Sequence, residues 1–351
     1  MSPGDRTERE SALSRGETLA ACSICQVPLA RGQGESLCPV CRELAATGGF
    51  AANGSRAETH DAPARPVPRT SPSLADVPEV LGPFQVLSIL GRGSVGLVLK
   101  VLDTRSGETA ALKILRPEAT LDEKARERFL REAKILTLLS HPGIVAATDV
   151  GWVGDVPYIA MPYVAGRDLE SRVREAGPPP WRRALEWAAN VGLALQHAHE
   201  RKVIHRDIKP SNLLLDSAGE IRILDFGLAA VLDATGIRFT RTVATLGTPY
   251  YIPPEQIGRA RQADHRADIY SLGATLFFLL TGELPYPEER TFAALCRHIL
   301  TSPPRSVGAF RDDCPTEIDS LIARAMAKDP ESRYADVGEM VRALRAILEG
   351  A

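Results

Sequence analysis

His205-Arg206-Asp207-Ile208-Lys209-Pro210-Ser211-Asn212 gathers one acid, two basic side chains and a carboxamide into a single short stretch, then runs into the apolar Leu213-Leu214-Leu215. Just beyond lies a second polar signature, Asp225-Phe226-Gly227, directly after the β-like run 221–224. Polar clusters that abut short apolar strands place functional side chains at strand ends, facing a cleft. Upstream, 181–201 has a helix-like pattern of alanine and leucine that delivers the chain to this loop.

Further upstream, 84–90 is a strand candidate, followed by Gly91-Arg92-Gly93-Ser94-Val95-Gly96-Leu97-Val98 and a second β-rich run to Leu102. Glycines spaced in this way also occur in dinucleotide-binding folds, but there they open a helix whose N-terminus holds the pyrophosphate. Here leucine and valine continue, and Asp103-Thr104-Arg105-Ser106-Gly107 reads as a turn, so a strand, glycine loop and strand form a hairpin. Next comes the strand Ala110-Ala111-Leu112-Lys113-Ile114-Leu115, with one cation in apolar company. Its stem could simply lie on the sheet while the ammonium reaches water. A helix pattern over 122–139 puts Phe129, Leu136 and Leu139 on one face and Glu132 in the same stripe. A carboxylate there is costly unless paired, and Lys113 is the cation on offer.

Taken together, these segments resemble the protein kinases, and specifically the bacterial eukaryotic-like serine/threonine protein kinases, from about Gly82 to Leu348. The resemblance implies an α+β bilobal protein kinase fold: a small antiparallel β-sheet lobe with one helix, over a larger, mainly helical lobe. It implies ATP and Mg2+ (or Mn2+) as cofactors and protein Ser/Thr hydroxyls as acceptors. Asp207 would accept the hydroxyl proton, Lys209 would neutralise charge on the moving phosphoryl group, and Asn212 and Asp225 would hold magnesium. Lys113, held by Glu132, would bridge the α- and β-phosphates under the loop 91–96. Val98, Ala111 and Leu214 would sandwich adenine beside Met161. The Pro162 carbonyl and the Val164 N–H would bond the base, and Asp168 would bind the ribose unless it is only a solvated acid at a helix start. His205 would be structural, stacked beneath Phe226.

Between Leu228 and Ile252 a polar stretch ends Gly247-Thr248-Pro249-Tyr250-Tyr251-Ile252-Pro253-Pro254-Glu255, which resembles an activation segment. By that resemblance Thr248 contacts Asp207 and Lys209, Arg333 pairs with Glu255, and Asp268 bonds the backbone of the catalytic loop. Thr240, Thr242 and Thr245 are candidate phosphorylation sites for Arg206 to receive, with two copies meeting as a homodimer during autophosphorylation. Two departures stand out. Ser94-Val95 occupies the glycine-loop tip where an aromatic is common, and Pro162 stands where an acid is usual. A signalling scaffold that has lost catalysis would lack a catalytic part, and none is missing. A small-molecule kinase of related fold would lack the Gly-Thr-Pro-Tyr-Tyr segment and the Arg333 partner.

Four of the six cysteines form a separate pattern: Cys22, Cys25, Cys38 and Cys41 make two Cys-x-x-Cys knuckles. Two such knuckles can converge four thiolates on one tetrahedral ion, so the segment resembles a zinc ribbon with structural Zn2+. Disulfides would need an oxidising compartment, and a redox Cys-x-x-Cys would need a βαβ setting. So short a segment would draw most of its folding free energy from metal, about 10–16 kcal/mol in zinc-finger peptides. Its partner, whether a protein or a nucleic acid, is not legible. The expected organisation is a disordered 1–19, a zinc ribbon at 20–43, a flexible Pro/Ala/Gly/Ser linker at 44–80 and a kinase domain at 81–351. Within the last, the N-lobe spans 81–161, the hinge 162–168 and the C-lobe 169–351.

The 351 residues are 44% hydrophobic and 25% charged with net charge −2, an ordinary globular balance that makes no bulk case for nucleic acid or anionic membrane. The longest apolar run, 273–280, falls far short of the ~18 residues of a membrane span, and the N-terminus lacks a signal-like apolar core. The expectation is a cytoplasmic enzyme of signal transduction without a membrane anchor.

Overall fold

The computed structural model describes residues 77–92, 96–115, 123–226, 249–259, 263–289 and 291–350. An upper lobe is built on β1 (Val80–Leu81), β2 (Phe84–Arg92), β3 (Gly96–Asp103), β4 (Glu108–Leu115), β5 (Asp149–Val153) and β6 (Val156–Pro162). All pairs are antiparallel, in the order β1-β2-β3-β4-β6-β5. Alternation along each strand divides the sheet into two faces. Leu97, Leu99 and Val101 of β3 join Leu112 and Ile114 of β4 and Phe84 of β2 in a small apolar core. Val98 and Lys113 are cross-strand partners, as are Ala111 and Met161, so these four share the opposite face, toward the cleft. Helix α1 (Glu123–Leu138) lays Phe129, Ala133 and Leu136 into the larger core, one apolar stripe at helical spacing.

The upper lobe starts earlier than the linker composition implies. Val77 is buried in the small core and Val80 pairs with Gln85, so the boundary expected between 80 and 81 falls inside β1. Valine is what the site uses, and the surrounding prolines and serines hide it from a compositional reading.

The lower lobe contains a small sheet of β7 (Gly166–Asp168), β8 (Leu213–Asp216) and β9 (Ile221–Ile223). Its helices are α2 (Leu169–Ala176), α3 (Trp181–Glu200), α4 (Gln256–Arg259), α5 (Arg266–Thr281), α6 (Phe292–Thr301), α7 (Glu317–Ala325) and α8 (Val337–Gly350). Helix α5 is buried from Ala267 to Leu280, and the longest apolar run of the sequence is its C-terminal half. A helix apolar on every side belongs either in a core or in a membrane, and here α3, α7 and α8 surround it. Among the described residues no helix is long and apolar enough to cross a membrane. The connection between lobes tightens sooner than expected: Gly166–Asp168 of the stretch 162–168 is already β7, paired to β8. A Cβ on Gly166 would collide with the Leu215 carbonyl, so glycine is required for that pairing.

Candidate active site

The floor of the cleft is the loop between α3 and β8. Asp268, in the first turn of α5 and wholly buried, anchors it. Its carboxylate accepts the His205 N–H at 2.9 Å and the Arg206 N–H at 2.7 Å, and lies 2.7 Å from His199 Nε2. Burial works to raise the Asp268 pKa, but the bond and charge of His199 and the His205 N–H together hold it below the usual carboxylate value. Arg206 has φ 66°, a left-handed backbone that costs a non-glycine residue about 1 kcal/mol or more. The Asp268 bonds hold that turn in place and so present the next residue, Asp207.

His205 is fully buried, with Nε2 2.9 Å from the Leu224 carbonyl and Nδ1 accepting from the Asp207 N–H at 3.2 Å. Those partners select the neutral tautomer with its proton on Nε2, a structural state. Its ring meets Phe226 edge-on, centroids 4.6 Å apart. The Asp207 carboxylate accepts from Lys209 Nζ at 2.7 Å and from Asn212 Nδ2 at 3.0 Å. Asn212 Nδ2 also donates to the Asp207 carbonyl at 2.8 Å. Leu224 N–H donates to the Asn212 carbonyl at 2.9 Å, which sets Asp225 beside this cluster.

From the roof, Lys113 reaches down to Asp225, Nζ to Oδ1 3.0 Å. The lysine is almost buried, whereas 35% of the Asp225 side chain is open to the cleft. Desolvation would raise the Asp225 pKa, but Lys113 outweighs it by charge and hydrogen bond, helped by Lys209, so the carboxyl stays below its ordinary range. Asp225, like Arg206, has a positive φ, 57°. Two such residues so close together mark a cleft whose backbone is held against local preference.

The remaining expected residues fall as follows. Val98, Ala111 and Leu214 are half-buried, and Met161 is buried against Ala111. Pro162 ends β6 exposed, Val164 follows half-buried, and Gly91 lies opposite Val98. A Cβ on Gly96 would sit 2.6 Å from the Ile114 carbonyl, so glycine alone fits there. Asp168 caps α2, Oδ1 accepting the Ser171 N–H at 2.8 Å, which gives it a structural duty at a helix start. Glu132 lies on α1, but its side chain, like that of Arg92, is outside the described residues. Gly93, Ser94, Val95, Thr240, Thr242, Thr245, Thr248 and the four N-terminal cysteines also lie outside them.

Two contacts have no local sequence signal. His199 is one of two histidines in the last turn of α3, and only the fold brings it to Asp268. Lys100 Nζ stands 4.1 Å from the centroid of the Tyr163 ring and ties β3 to the segment after β6.

The donor set fits magnesium. The described bonds occupy Nδ2 of Asn212 and Oδ1 of Asp225, so the carboxamide oxygen and the second carboxylate oxygen remain as hard donors. Among the described residues no group of three or more His, Cys, Asp or Glu side chains gathers to hold a metal unaided. A cation that takes most of its ligands from phosphate and water does not need one.

A curled sheet with one helix over a helical lobe, bridged at the seam by a lysine and an acid, is the architecture of a two-lobed nucleotide-dependent phosphotransferase. Residues 84–344 match the model of the protein kinase domain, and the chain belongs to that family. It is similar to a probable serine/threonine-protein kinase of Corynebacterium efficiens, 38% identical over 275 residues, covering 76% of this chain and 42% of that protein. The serine/threonine-protein kinase PrkC of Bacillus subtilis is 36% identical over 261 residues, 74% of this chain and 40% of its own length. The chain thus spans about two fifths of the length of the curated relatives it matches. The crystal structure of the Mycobacterium tuberculosis PknI kinase domain superposes with a TM-score of 0.58 at 29% identity, covering 76% of this chain and 96% of that one.

Proposed function

We propose that the chain is an ATP- and Mg2+-dependent serine/threonine protein kinase that works in the cytoplasm, where its nucleotide is made. One observation carries this reading: the Asp207 carboxylate, held by Lys209 and Asn212, stands beside an Asp225 already drawn to Lys113. In the transfer, the acceptor oxygen forms a bond to the γ-phosphorus as the bridging oxygen of ADP leaves. Asp207 orients that hydroxyl and takes its proton. Lys209 offsets charge on the moving group, and Lys113 holds the α- and β-phosphates with Glu132 behind it. Asn212 and Asp225 would hold Mg2+, which, when bound, neutralises phosphate charge. The transition state is loose, so positioning counts for more than basicity. Adenine fits among Val98, Ala111, Leu214 and Met161, with its edge on the Pro162 carbonyl and the Val164 N–H. Asp168 retains Oδ2 for a ribose hydroxyl.

Asp207→Asn should lower phosphorylation of a generic basic protein by about 10²–10⁴-fold, the usual worth of a general base, with ATP binding retained. Near wild-type turnover in that protein would remove Asp207 from its role.

Two further elements complete the reading. Cys22, Cys25, Cys38 and Cys41 form a structural zinc ribbon, so freshly purified protein should carry about one zinc per chain. Disulfides by mass with no zinc would contradict that. Thr240 and Thr242 are autophosphorylated between two copies, and the added charge, about −1.5 to −2 each, docks on Arg206. The double Thr→Ala protein should lose activity by about ten-fold or more, and full activity with both threonines unmodified would refute the assignment.

A further inference from the structure

The turn Pro249–Tyr251 follows Thr248 directly and is held from two sides. On one side Ser271 Oγ of α5 donates to the Tyr251 carbonyl at 2.9 Å. On the other side the buried Tyr250 phenol oxygen accepts the Glu289 N–H at 3.1 Å. Glu289 lies in the loop before α6, and its carboxylate is 2.8 Å from His298 Nε2 on that helix. The second imidazole nitrogen, Nδ1, is 3.1 Å from Ser302 Oγ at the helix C-cap. With Nε2–H donating to the carboxylate and Nδ1 accepting from the hydroxyl, the ring is satisfied at both ends and fixed in orientation. A polar chain therefore runs Ser302, His298, Glu289, Tyr250 and stops at the end of the segment that would present an acceptor hydroxyl to Asp207. Glu289 and His298 are each about a quarter exposed, so the chain reaches the surface of the lower lobe.

We propose that His298 is a positioning residue for the protein substrate, fixing the turn Pro249–Tyr251 through Glu289 and Tyr250 and so setting substrate affinity without acting on ATP. The inference rests on the protein kinase reading and specifies its acceptor side. None of the described contacts of Lys113, Asp207, Asn212 or Asp225 passes through this chain, so its loss should fall on the acceptor rather than on the nucleotide. Losing His298 releases the Glu289 carboxylate, and the loop that holds the phenol gains freedom.

The test uses the full chain, with myelin basic protein as acceptor, and measures kcat and the separate KM values for acceptor and ATP. His298→Ala should raise KM for the acceptor about five-fold, in the range of the net worth of one typical hydrogen bond, and leave kcat and KM for ATP within about two-fold. His298→Gln keeps an N–H donor for Glu289 and should restore most of the affinity. Tyr250→Phe should reproduce the rise, and His298→Ala with Tyr250→Phe should add little to either alone. An unchanged acceptor KM in His298→Ala, or additive single effects, would overturn the inference. So would an equal rise in KM for ATP, which would mark a general structural role. If the alanine protein does not fold, Tyr250→Phe decides the matter: an unchanged acceptor KM there, or an equal rise in KM for ATP, overturns the inference. A wild-type chain that binds Mg-ATP but does not phosphorylate the acceptor would overturn the kinase reading itself, and this inference with it.

Discussion

The floor and the roof of the cleft are built on opposite plans. On the floor, one fully buried carboxylate, Asp268, holds two successive backbone N–H groups and a histidine before any ligand arrives. On the roof, Lys113 stands on a strand, and its described contact with the floor is one ion pair to a partly exposed Asp225. A floor fixed in advance aims Asp207 without reorganisation at the moment of reaction. A roof joined across the seam can part from the floor, as a lobe that admits and releases nucleotide must. Stability and activity should therefore separate differently in the two regions.

The largest effect should come from the roof. Lys113→Met should abolish measurable phosphorylation while lowering Tm by no more than a few degrees, because Asp225 can turn to water through the cleft. A Lys113→Met protein that melts as a partly unfolded chain would break the contrast.

The floor should answer in both measurements. Asp268→Asn puts an amide where three donors converge, so at least one donor is left buried and unsatisfied, at a cost of about 1–3 kcal/mol. It should also free the left-handed turn at Arg206 and reduce kcat about ten-fold or more. Because the folded pKa of Asp268 is depressed, its contribution is present above the ordinary Asp pKa and lost as pH falls through the lower folded value. The difference in Tm between wild type and Asp268→Asn should thus be constant near neutrality and shrink below about pH 4. A difference that grows on acidification would contradict the assignment.

How much of this was legible in the sequence depends on how local each feature is. Asp207, Lys209, Asn212 and Asp225 sit in two short runs beside strands, and the resemblance of those runs to the kinase signature brought them together. Lys113 stood out as a cation in an apolar strand. The start of α5 was legible through Asp268, by resemblance, but its apolar run was legible only as one too short for a membrane, because nothing in its own residues names the neighbours that cover it. His199, the Lys100 and Tyr163 contact, and the Glu289 and His298 pair were not legible. Each joins elements whose proximity is set by the packing of other elements. Asp168 shows the limit of a motif: the resemblance assigns it to ribose, and the structure adds a helix cap that a three-residue look ahead to Ser171 could have proposed.

The smallest expected effect sharpens the contrast in how the two lobes carry charge. In the upper lobe, Arg105 bonds Asp103 and Asp149 with half its side chain exposed, and such pairs contribute little. In the lower lobe, Arg333 is buried, bidentate to Glu255 at 2.7 Å for each bond, with its guanidinium 5.0 Å from the Tyr270 ring. Lys328 lies nearby, its Nζ 2.6 Å from the Tyr286 hydroxyl, which is 2.8 Å from that of Tyr270. Burial, aided by the charge of Arg333, lowers the Lys328 pKa to about 8 from 10.5. Below pH 8 the amine is charged in both folded and unfolded chains, and the fold bears the full cost of burying that charge. As pH rises past 8 the folded amine loses its proton while the unfolded one keeps it, so the unfolded chain binds more protons and stability rises. The phenols limit the window, since those of the unfolded chain begin to titrate near pH 10. Lys328→Met removes this term, so the Tm of wild type relative to the variant should climb between pH 8 and about 9.5 and stay level between 6 and 7. Melts of the two proteins across that range check it. Parallel curves would mean the lysine is hydrated well enough to keep its ordinary pKa, and the lower lobe would then carry this charge as cheaply as the upper lobe carries Arg105.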